Sequence, residues 1–200
     1  MTDPASKDMR PLATALCAVA AACLIYAGFT HQWLVNASRY TEVGFGLRTN
    51  YQCSVSYGFG GETDASAQAC VDQTNAELVA QARARGAEAA RLTSGAFAPL
   101  GWVTFILALL AGFGLAAAAV LGFLQKAPAL PIAPTTIALL GIMVGLITGC
   151  VFVATKPGPA GLFGVGMSFW IFGVGCVMGI AGAQMMAKLN RPLEPEWTVD

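Results

Sequence analysis

Four long apolar stretches that lack any Asp, Glu, Lys or Arg constrain this chain more than any other feature. They cover residues 12–34, 97–124, 132–155 and 162–187. A helix of about 20 apolar residues crosses the roughly 30 Å hydrocarbon layer of a bilayer. Each stretch is long enough to do so. We therefore predict four transmembrane helices that pack as an all-α four-helix bundle.

The composition supports a membrane location. Hydrophobic residues make up 56% of the sequence and charged residues only 11%, which is less than half the usual charged share of about 25%. So few polar groups cannot cover a globule in water, and the lipid bilayer is the first partner we expect. The first stretch is longer than a signal-peptide core and no A-x-A site follows it, so we expect it to be kept as a span.

Several classes of function lack the residues they need. The 11 basic and 11 acidic residues cancel, which removes the electrostatic basis for nucleic-acid binding. The sequence has one histidine, His31, and this excludes a metal site built from several histidines. The sequence shows no nucleophile–base pair and no phosphate-binding glycine loop that would indicate catalysis. It also has no ionisable group within a span that would indicate transport. We expect no enzymatic activity, no cofactor, no metal and no nucleic-acid partner.

The orientation follows from the lysines and arginines in the short segments next to the spans. With the N-terminus inside, the segments 1–11, 125–131 and 188–200 are cytoplasmic and the short loop 156–161 is outside. The cytoplasmic segments then carry Lys7, Arg10, Lys126, Lys188 and Arg191, and the short outer loop carries only Lys156. We predict a protein of the cell (inner) membrane with both termini in the cytoplasm and the long loop 35–96 outside.

The long loop has two parts with different periodicity. From residue 43 to residue 59, apolar and polar residues alternate. This alternation is typical of strands with one apolar face, and it predicts a β-hairpin or longer meander with a turn near Arg48. From residue 75 to residue 92 the sequence is rich in alanine with helical spacing, which predicts a helix.

Two of the six cysteines, Cys53 and Cys70, lie in this loop. On the oxidising side of a membrane we expect them to form a disulfide, worth about 3 kcal/mol in the loop-entropy model. The other four cysteines lie within the predicted spans, where cysteine packs as a small apolar residue. The sequence has no C-x-x-C motif, so a thiol oxidoreductase is not favoured.

Glycines recur at every fourth position in the third and fourth spans. They are Gly141, Gly145 and Gly149 in the third span, and Gly175 and Gly179 in the fourth. Residues at this spacing share one helix face and allow two helix backbones to approach closely. Such faces pack helices within one bundle or join two chains, and the sequence leaves both interpretations open.

Three tryptophans fall at informative positions. Trp33 and Trp102 lie near the ends of the first two spans, and we expect both in the aromatic belt at the membrane interface. Trp170 lies within the fourth span, and we expect it to pack inside the bundle.

The order of residues in the loop resembles that of the claudins and their relatives of the peripheral myelin protein group. In this four-span family, a tryptophan after the first span is followed by Gly-Leu-Trp, by two cysteines and by an arginine just before the second span. The corresponding residues of this chain, in the same order, are Trp33, Gly46, Leu47, Cys53, Cys70 and Arg91.

Arg48 stands where the family has the tryptophan of Gly-Leu-Trp, so the chain is similar to a divergent form of the family. Its high alanine and glycine content is typical of a bacterial protein. The resemblance implies a four-helix bundle with a β-sheet-containing extracytoplasmic first loop. It also implies a loop that contacts other proteins, in adhesion, in a barrier or in self-assembly.

Two functions follow as expectations. The first is a non-enzymatic membrane protein whose loop, braced by the disulfide, binds another membrane protein or a second copy of the chain. The alternative is an accessory subunit of a respiratory, photosynthetic or secretion complex, seated through its glycine-rich helix faces.

Cysteine labelling checks the orientation. In a background without other cysteines, Ala65→Cys should react with a membrane-impermeant maleimide on intact cells, because residue 65 is predicted to lie outside. Ser6→Cys should react only after the membrane is permeabilised. The reverse pattern would show that the orientation is wrong, and it would remove the oxidising environment expected for the loop cysteines.

Overall fold

The computed structural model describes residues 4–37, 41–55, 68–125, 133–158 and 162–189. The helices within these ranges are α1 (Pro4–Phe29), α2 (Asn75–Ala84), α3 (Ala87–Leu92), α4 (Phe97–Phe123), α5 (Pro134–Ala154) and α6 (Met167–Leu189). The strands are β1 (Leu34–Ala37), β2 (Thr41–Phe45), β3 (Thr49–Val55), β4 (Gln68–Thr74) and β5 (Gly164–Val165).

Four of these helices, α1, α4, α5 and α6, are long and apolar enough to cross a membrane. This confirms the four predicted apolar helices and indicates a membrane protein. Helices α1 and α5 each pack against both α4 and α6, so the four helices close into a ring. The bounds of α4 and α5 differ by no more than two residues from the predicted stretches 97–124 and 132–155.

In the middle of α4, small residues face inward and several large apolar residues face outward. In α4, Ala108, Ala111 and Gly112 are buried, whereas Leu110 is 49% exposed and Phe113 is 61% exposed. Hydrocarbon is as apolar as leucine, so burying a large side chain does not drive membrane helices together. Close packing of backbones does, and small residues permit it.

The repeated glycines lie inside the bundle. All five of them are buried. A Cβ atom added at Gly141 would lie 3.1 Å from Cβ of Ala111 in α4, and one at Gly179 would lie 2.9 Å from Leu115. One added at Gly175 would lie 3.0 Å from Cβ of Cys23 in α1. These glycine faces therefore serve packing within one chain, which was one of the two interpretations left open.

An antiparallel sheet of five strands covers one end of the bundle, in the order β4-β3-β2-β1-β5. Strands β2 and β3 form a hairpin whose turn includes Arg48, as the alternating pattern predicts. The sequence does not predict β1, β4 or β5. Strands β1 and β5 are too short to show a period, and β5 comes from the loop between α5 and α6, where only pairing with β1 defines it.

The first helix ends earlier than predicted. Helix α1 ends at Phe29, and Leu34, the predicted last residue of the span, already begins β1. The Ala27 carbonyl accepts hydrogen bonds from the Thr30 hydroxyl at 3.2 Å and from the Trp33 indole N–H at 2.6 Å. These side-chain donors satisfy a carbonyl at the helix end, where backbone donors are missing, so the chain can leave the helix.

Two other boundaries need correction. The helix predicted over residues 75–92 is two helices, because the chain breaks at Gly86, whose φ of 111° lies outside the helical region and suits glycine. The fourth span was predicted to begin at residue 162, but α6 begins at Met167, because the residues before it form β5.

Trp170 does not pack inside the bundle as predicted. Its side chain is 62% exposed. Val174 and Val177 are also exposed and follow at the spacing of one helix face, whereas Phe172 is buried and points to the core. Trp170 therefore belongs to the outward face of α6, together with Val174 and Val177.

Substitution of Gly145 tests the packing of the third span. A Cβ atom there would lie 3.4 Å from Cβ of Leu107 and 3.6 Å from Phe172, so Gly145→Leu forces the remaining side-chain carbons into filled space. Overpacking of this kind costs about 1–3 kcal/mol. We expect a lower melting temperature in detergent. The matched control is Gly173→Leu in α6, where a Cβ atom meets nothing within 4 Å; equal stability of the two variants would contradict the assigned packing.

Candidate functional site

Trp33 joins the sheet to the bundle. Its side chain is fully buried, and its indole N–H donates to the Ala27 carbonyl of α1 at 2.6 Å. Its backbone N–H donates to the Phe45 carbonyl of β2, and its carbonyl accepts from Gly166, just before α6, both at 2.9 Å. One residue thus ties α1, β2 and the start of α6 together.

Aromatic side chains surround this junction. The Trp33 ring lies 6.0 Å from Phe152 of α5 and 5.1 Å from Phe172 of α6, measured between ring centroids. Phe152 stacks on Phe97 at 4.6 Å, and Phe97 meets Phe45 of β2 edge-on at 5.7 Å. Trp33 is therefore a core residue, and its expected place in an aromatic belt is wrong.

The hairpin turn rests directly on the helices. Leu47 is buried, and its carbonyl lies so close to Gly101 of α4 that any Cβ at position 101 would clash with it. Gly46 is equally confined, because a Cβ atom there would lie 2.5 Å from the Thr30 carbonyl. Glycine at both positions permits this contact, because it has no side chain.

Two buried asparagines hold the turn. The Asn75 side-chain amide donates to the carbonyls of Gly46 at 3.0 Å and Leu47 at 3.1 Å, and its oxygen accepts from Asn50 at 3.2 Å. The backbone N–H of Asn75 donates to the Arg48 carbonyl at 2.9 Å. Buried polar groups must be paired in this way. Sequence analysis missed both asparagines, because an isolated asparagine gives no sign of its burial.

The structure brings together three of the six residues that carry the family resemblance. Trp33, Gly46 and Leu47 all lie where the sheet meets the bundle. Arg91 does not join them, because it lies at the end of α3 and is exposed. His31 lies at the same junction; its Nε2 atom is hydrogen-bonded to the Thr49 hydroxyl at 2.6 Å, and it is half-buried.

Cys53 and Cys70 form the predicted disulfide. They are directly paired across β3 and β4, with Cα atoms 4.1 Å apart. Cys53 is buried and Cys70 is exposed. The bond therefore ties the edge strand β4 to the rest of the sheet.

A capping box connects β4 to α2. The Thr74 hydroxyl accepts from the Glu77 N–H at 3.2 Å, and the Glu77 carboxylate accepts from the Thr74 N–H at 2.8 Å. The Thr74 backbone N–H, followed by the hydroxyl, holds the pKa of Glu77 below its usual value. The pattern of Thr followed three residues later by Glu is a readable signal for the start of a helix.

Part of the sheet extends beyond the bundle. Paired residues in an antiparallel sheet share a face, and the face alternates along each strand. The row Phe45–Asn50 lies against the bundle and is buried, whereas the row that contains Gln52 and Val71, two residues further on, is exposed. Val71 is 63% exposed. We call Gln52, Val71 and the edge of β4 that faces away from β3 the sheet-edge surface.

The opposite face carries a polar pair. Tyr51 packs over Gly44, where a Cβ atom would overlap its ring, and its hydroxyl donates to Glu42 at 2.7 Å. Burial, together with the hydrogen bond and the charge of Glu42, raises the pKa of Tyr51 to about 12. Tyr51 is therefore protonated at neutral pH and remains a donor.

These hydrogen bonds and aromatic contacts join the sheet to the bundle. Among the residues that the structure describes, no group of three His, Cys, Asp or Glu side chains is placed to hold a metal ion. The chain matches no protein-family model and no curated protein. The class of protein that the fold defines is a membrane protein with four apolar helices and a small disulfide-linked antiparallel sheet.

Substitution of Asn75 tests the clamp on the turn. Asn75→Ala removes the donor to two buried carbonyls and leaves the Asn50 amide without its partner, at a cost of about 1–3 kcal/mol. Alanine is the better helix former, so a loss of stability cannot come from α2 itself. We expect a lower melting temperature in detergent. The control is Gln81→Ala, which removes an exposed hydrogen bond to Gln73 and should change the melting temperature little; equal effects would contradict the clamp.

Proposed function

We propose that this chain is a non-enzymatic, claudin-like membrane protein whose disulfide-braced sheet binds another membrane protein or a second copy of itself. The sheet lies outside the cell membrane and both termini lie in the cytoplasm. The fold and the resemblance in the loop motif support the same family, because Trp33, Gly46 and Leu47 meet at one junction.

The sheet-edge surface carries the proposal. Strand β4 is the last strand of the sheet and pairs on one side only, with β3, among the described residues. An edge strand offers unpaired backbone N–H and C=O groups to another chain, and β-strand addition is a common mode of protein recognition. Val71, exposed at the middle of β4, adds an apolar contact.

The surface is also held rigidly, which favours binding. The disulfide joins β4 to β3, the hairpin turn rests on α4, and Trp33 ties the sheet to α1 and α6. A surface that is ordered before binding loses less conformational entropy when it meets its partner. The disulfide further supports a location on the oxidising side of the membrane.

Association after extraction in a mild detergent tests this function. Val71→Arg places a charge in the middle of the edge strand, and such changes at the centre of an interface cost about 1–3 kcal/mol. We expect the apparent association constant, measured by size-exclusion chromatography with light scattering or by quantitative pull-down, to fall roughly tenfold or more.

The control is Ala80→Arg, which adds the same charge at an exposed position of α2 and should leave association unchanged. The double variant Cys53→Ala/Cys70→Ala should weaken association and speed proteolysis between residues 53 and 91. The double variant Cys23→Ala/Cys150→Ala, in the spans, should do neither. Association that is unaffected by Val71→Arg would overturn the proposed surface.

The second candidate is an accessory subunit of a larger membrane complex. This candidate requires glycine faces that are free to pack against partner helices. The repeated glycines instead pack inside the bundle. Such a partner would instead meet the large outward side chains, such as Phe113 and Trp170. A fixed stoichiometric assembly that persists in Val71→Arg would favour this candidate.

A further inference from the structure

Arg48 lies on an aromatic surface at the sheet end of the bundle. Its guanidinium carbon is 4.3 Å from the centroid of the Phe105 ring, and 5.5 Å from those of Phe29 and Trp102. Phe29 is the last residue of α1, and the other two rings belong to the first turns of α4. The arginine comes from the sheet and the rings from two membrane-crossing helices.

The backbone holds Arg48 in this place. Leu47, the residue before it, is buried, and the Arg48 carbonyl accepts from the backbone N–H of Asn75 at 2.9 Å. The side chain therefore leaves a fixed turn and does not depend on a flexible loop for its direction. Its stem covers apolar surface, as arginine does at membrane interfaces.

The aromatic surface faces the bilayer at the boundary of its hydrocarbon layer. Phe29 is 54% exposed and Trp102 is 46% exposed. Further along the same face of α4, Ile106 and Phe113 are also exposed, which is the hydrocarbon-facing pattern. Trp102 lies five residues after the start of α4, about 7.5 Å along its axis. Helix α4 has 27 residues and is about 40 Å long, so it exceeds the roughly 30 Å hydrocarbon layer by about 5 Å at each end when it is centred in the bilayer. Trp102 then lies close to the hydrocarbon boundary, whichever side of the membrane the sheet occupies.

Within the part of the chain that the structure describes, the Arg48 guanidinium has donors without a partner. Among the described residues, no carboxylate lies within ion-pair distance of Arg48 and no hydrogen bond from its guanidinium is found within the same ranges. Its guanidinium carbon lies within the distance at which a cation is attracted to the ring electrons. The N–H groups of a guanidinium form a fork that matches the oxygens of a phosphate.

We propose that Arg48, seated on Phe29, Trp102 and Phe105, binds the phosphodiester of a membrane phospholipid in the leaflet on the side of the sheet. The three rings contact the first carbons of the acyl chains, and the guanidinium contacts the phosphate oxygens. The bound lipid then lies directly beneath the hairpin turn. This goes beyond the proposed function, which concerns the edge strand on the other side of that turn.

Native mass spectrometry of the full chain in detergent tests the site, with phosphatidylglycerol as the probe. Diacylglycerol with the same acyl chains serves as the lipid without phosphate, and inorganic phosphate serves as the anion without lipid. We expect the chain to retain phosphatidylglycerol in preference to diacylglycerol, and inorganic phosphate not to compete at equal concentration. Equal retention of diacylglycerol, or effective competition by inorganic phosphate, would overturn the assignment to a phospholipid.

Variants locate the site. Arg48→Gln should weaken binding of the first phosphatidylglycerol about tenfold, the effect expected from losing a charge-assisted contact. Arg83→Gln, which removes an exposed arginine from α2, should not weaken it. Unchanged binding by Arg48→Gln, or equal weakening by Arg83→Gln, would show that Arg48 is not the site.

A further variant covers the case in which Arg48→Gln does not fold, as judged from the disulfide in non-reduced peptide maps and from the melting temperature. Arg48→Lys keeps the charge and the apolar stem but lacks the planar fork. We expect it to bind phosphatidylglycerol severalfold more weakly than the parent. Binding equal to that of the parent would overturn recognition by the guanidinium.

Discussion

The indole of Trp33 donates to the Ala27 carbonyl at the end of α1, and the position of the sheet depends on this contact. It satisfies a carbonyl that a continuing helix would have bonded, so the chain can turn and enter β1. The rings of Phe152 and Phe172 surround the indole, which fixes the angle at which the chain leaves. The backbone of Trp33 is bonded to Phe45 of β2, so this anchor also helps to set the position of β2 above the bundle.

Below that junction, the bundle depends on close approach of helix backbones. Gly141 against Ala111 and Gly179 against Leu115 leave no room for larger residues. Polar groups inside the bundle are few and paired, as in the hydrogen bond between the hydroxyls of Thr104 and Thr148 at 3.0 Å. A bundle of this kind can hold the sheet in place. Among the described residues, it has no charged path across the membrane.

Above the junction, two surfaces of different chemistry belong to the same sheet. The sheet-edge surface presents backbone groups and Val71, which suit another polypeptide. Arg48, on the rings of Phe105 and Trp102, presents the cation for which we propose a phospholipid phosphate. Because Asn75 holds the turn between them, both proposed contacts are fixed relative to the bundle. We propose that the protein contacts both its partner and the membrane lipid through this one sheet.

Composition and periodicity predict much of this protein. The four uncharged stretches predict α1, α4, α5 and α6, because crossing hydrocarbon requires long helices without charge. The alternation after Val43 predicts the β2–β3 hairpin, and the two loop cysteines predict their disulfide. These features are local, or follow directly from the solvent, so one segment is enough to recognise them.

The rest was decided by contacts between segments that are distant in the chain. Strand β5 exists because it pairs with β1, and Trp33 is a core residue because helices α5 and α6 surround it. Asn50 and Asn75 reveal their role only when β3 and α2 meet. The sequence by itself determined which segments are apolar, extended or joined by a disulfide. Only the tertiary structure decided where α1 ends, which faces are buried and what Arg48 touches, because each of these depends on a neighbour that is remote in sequence.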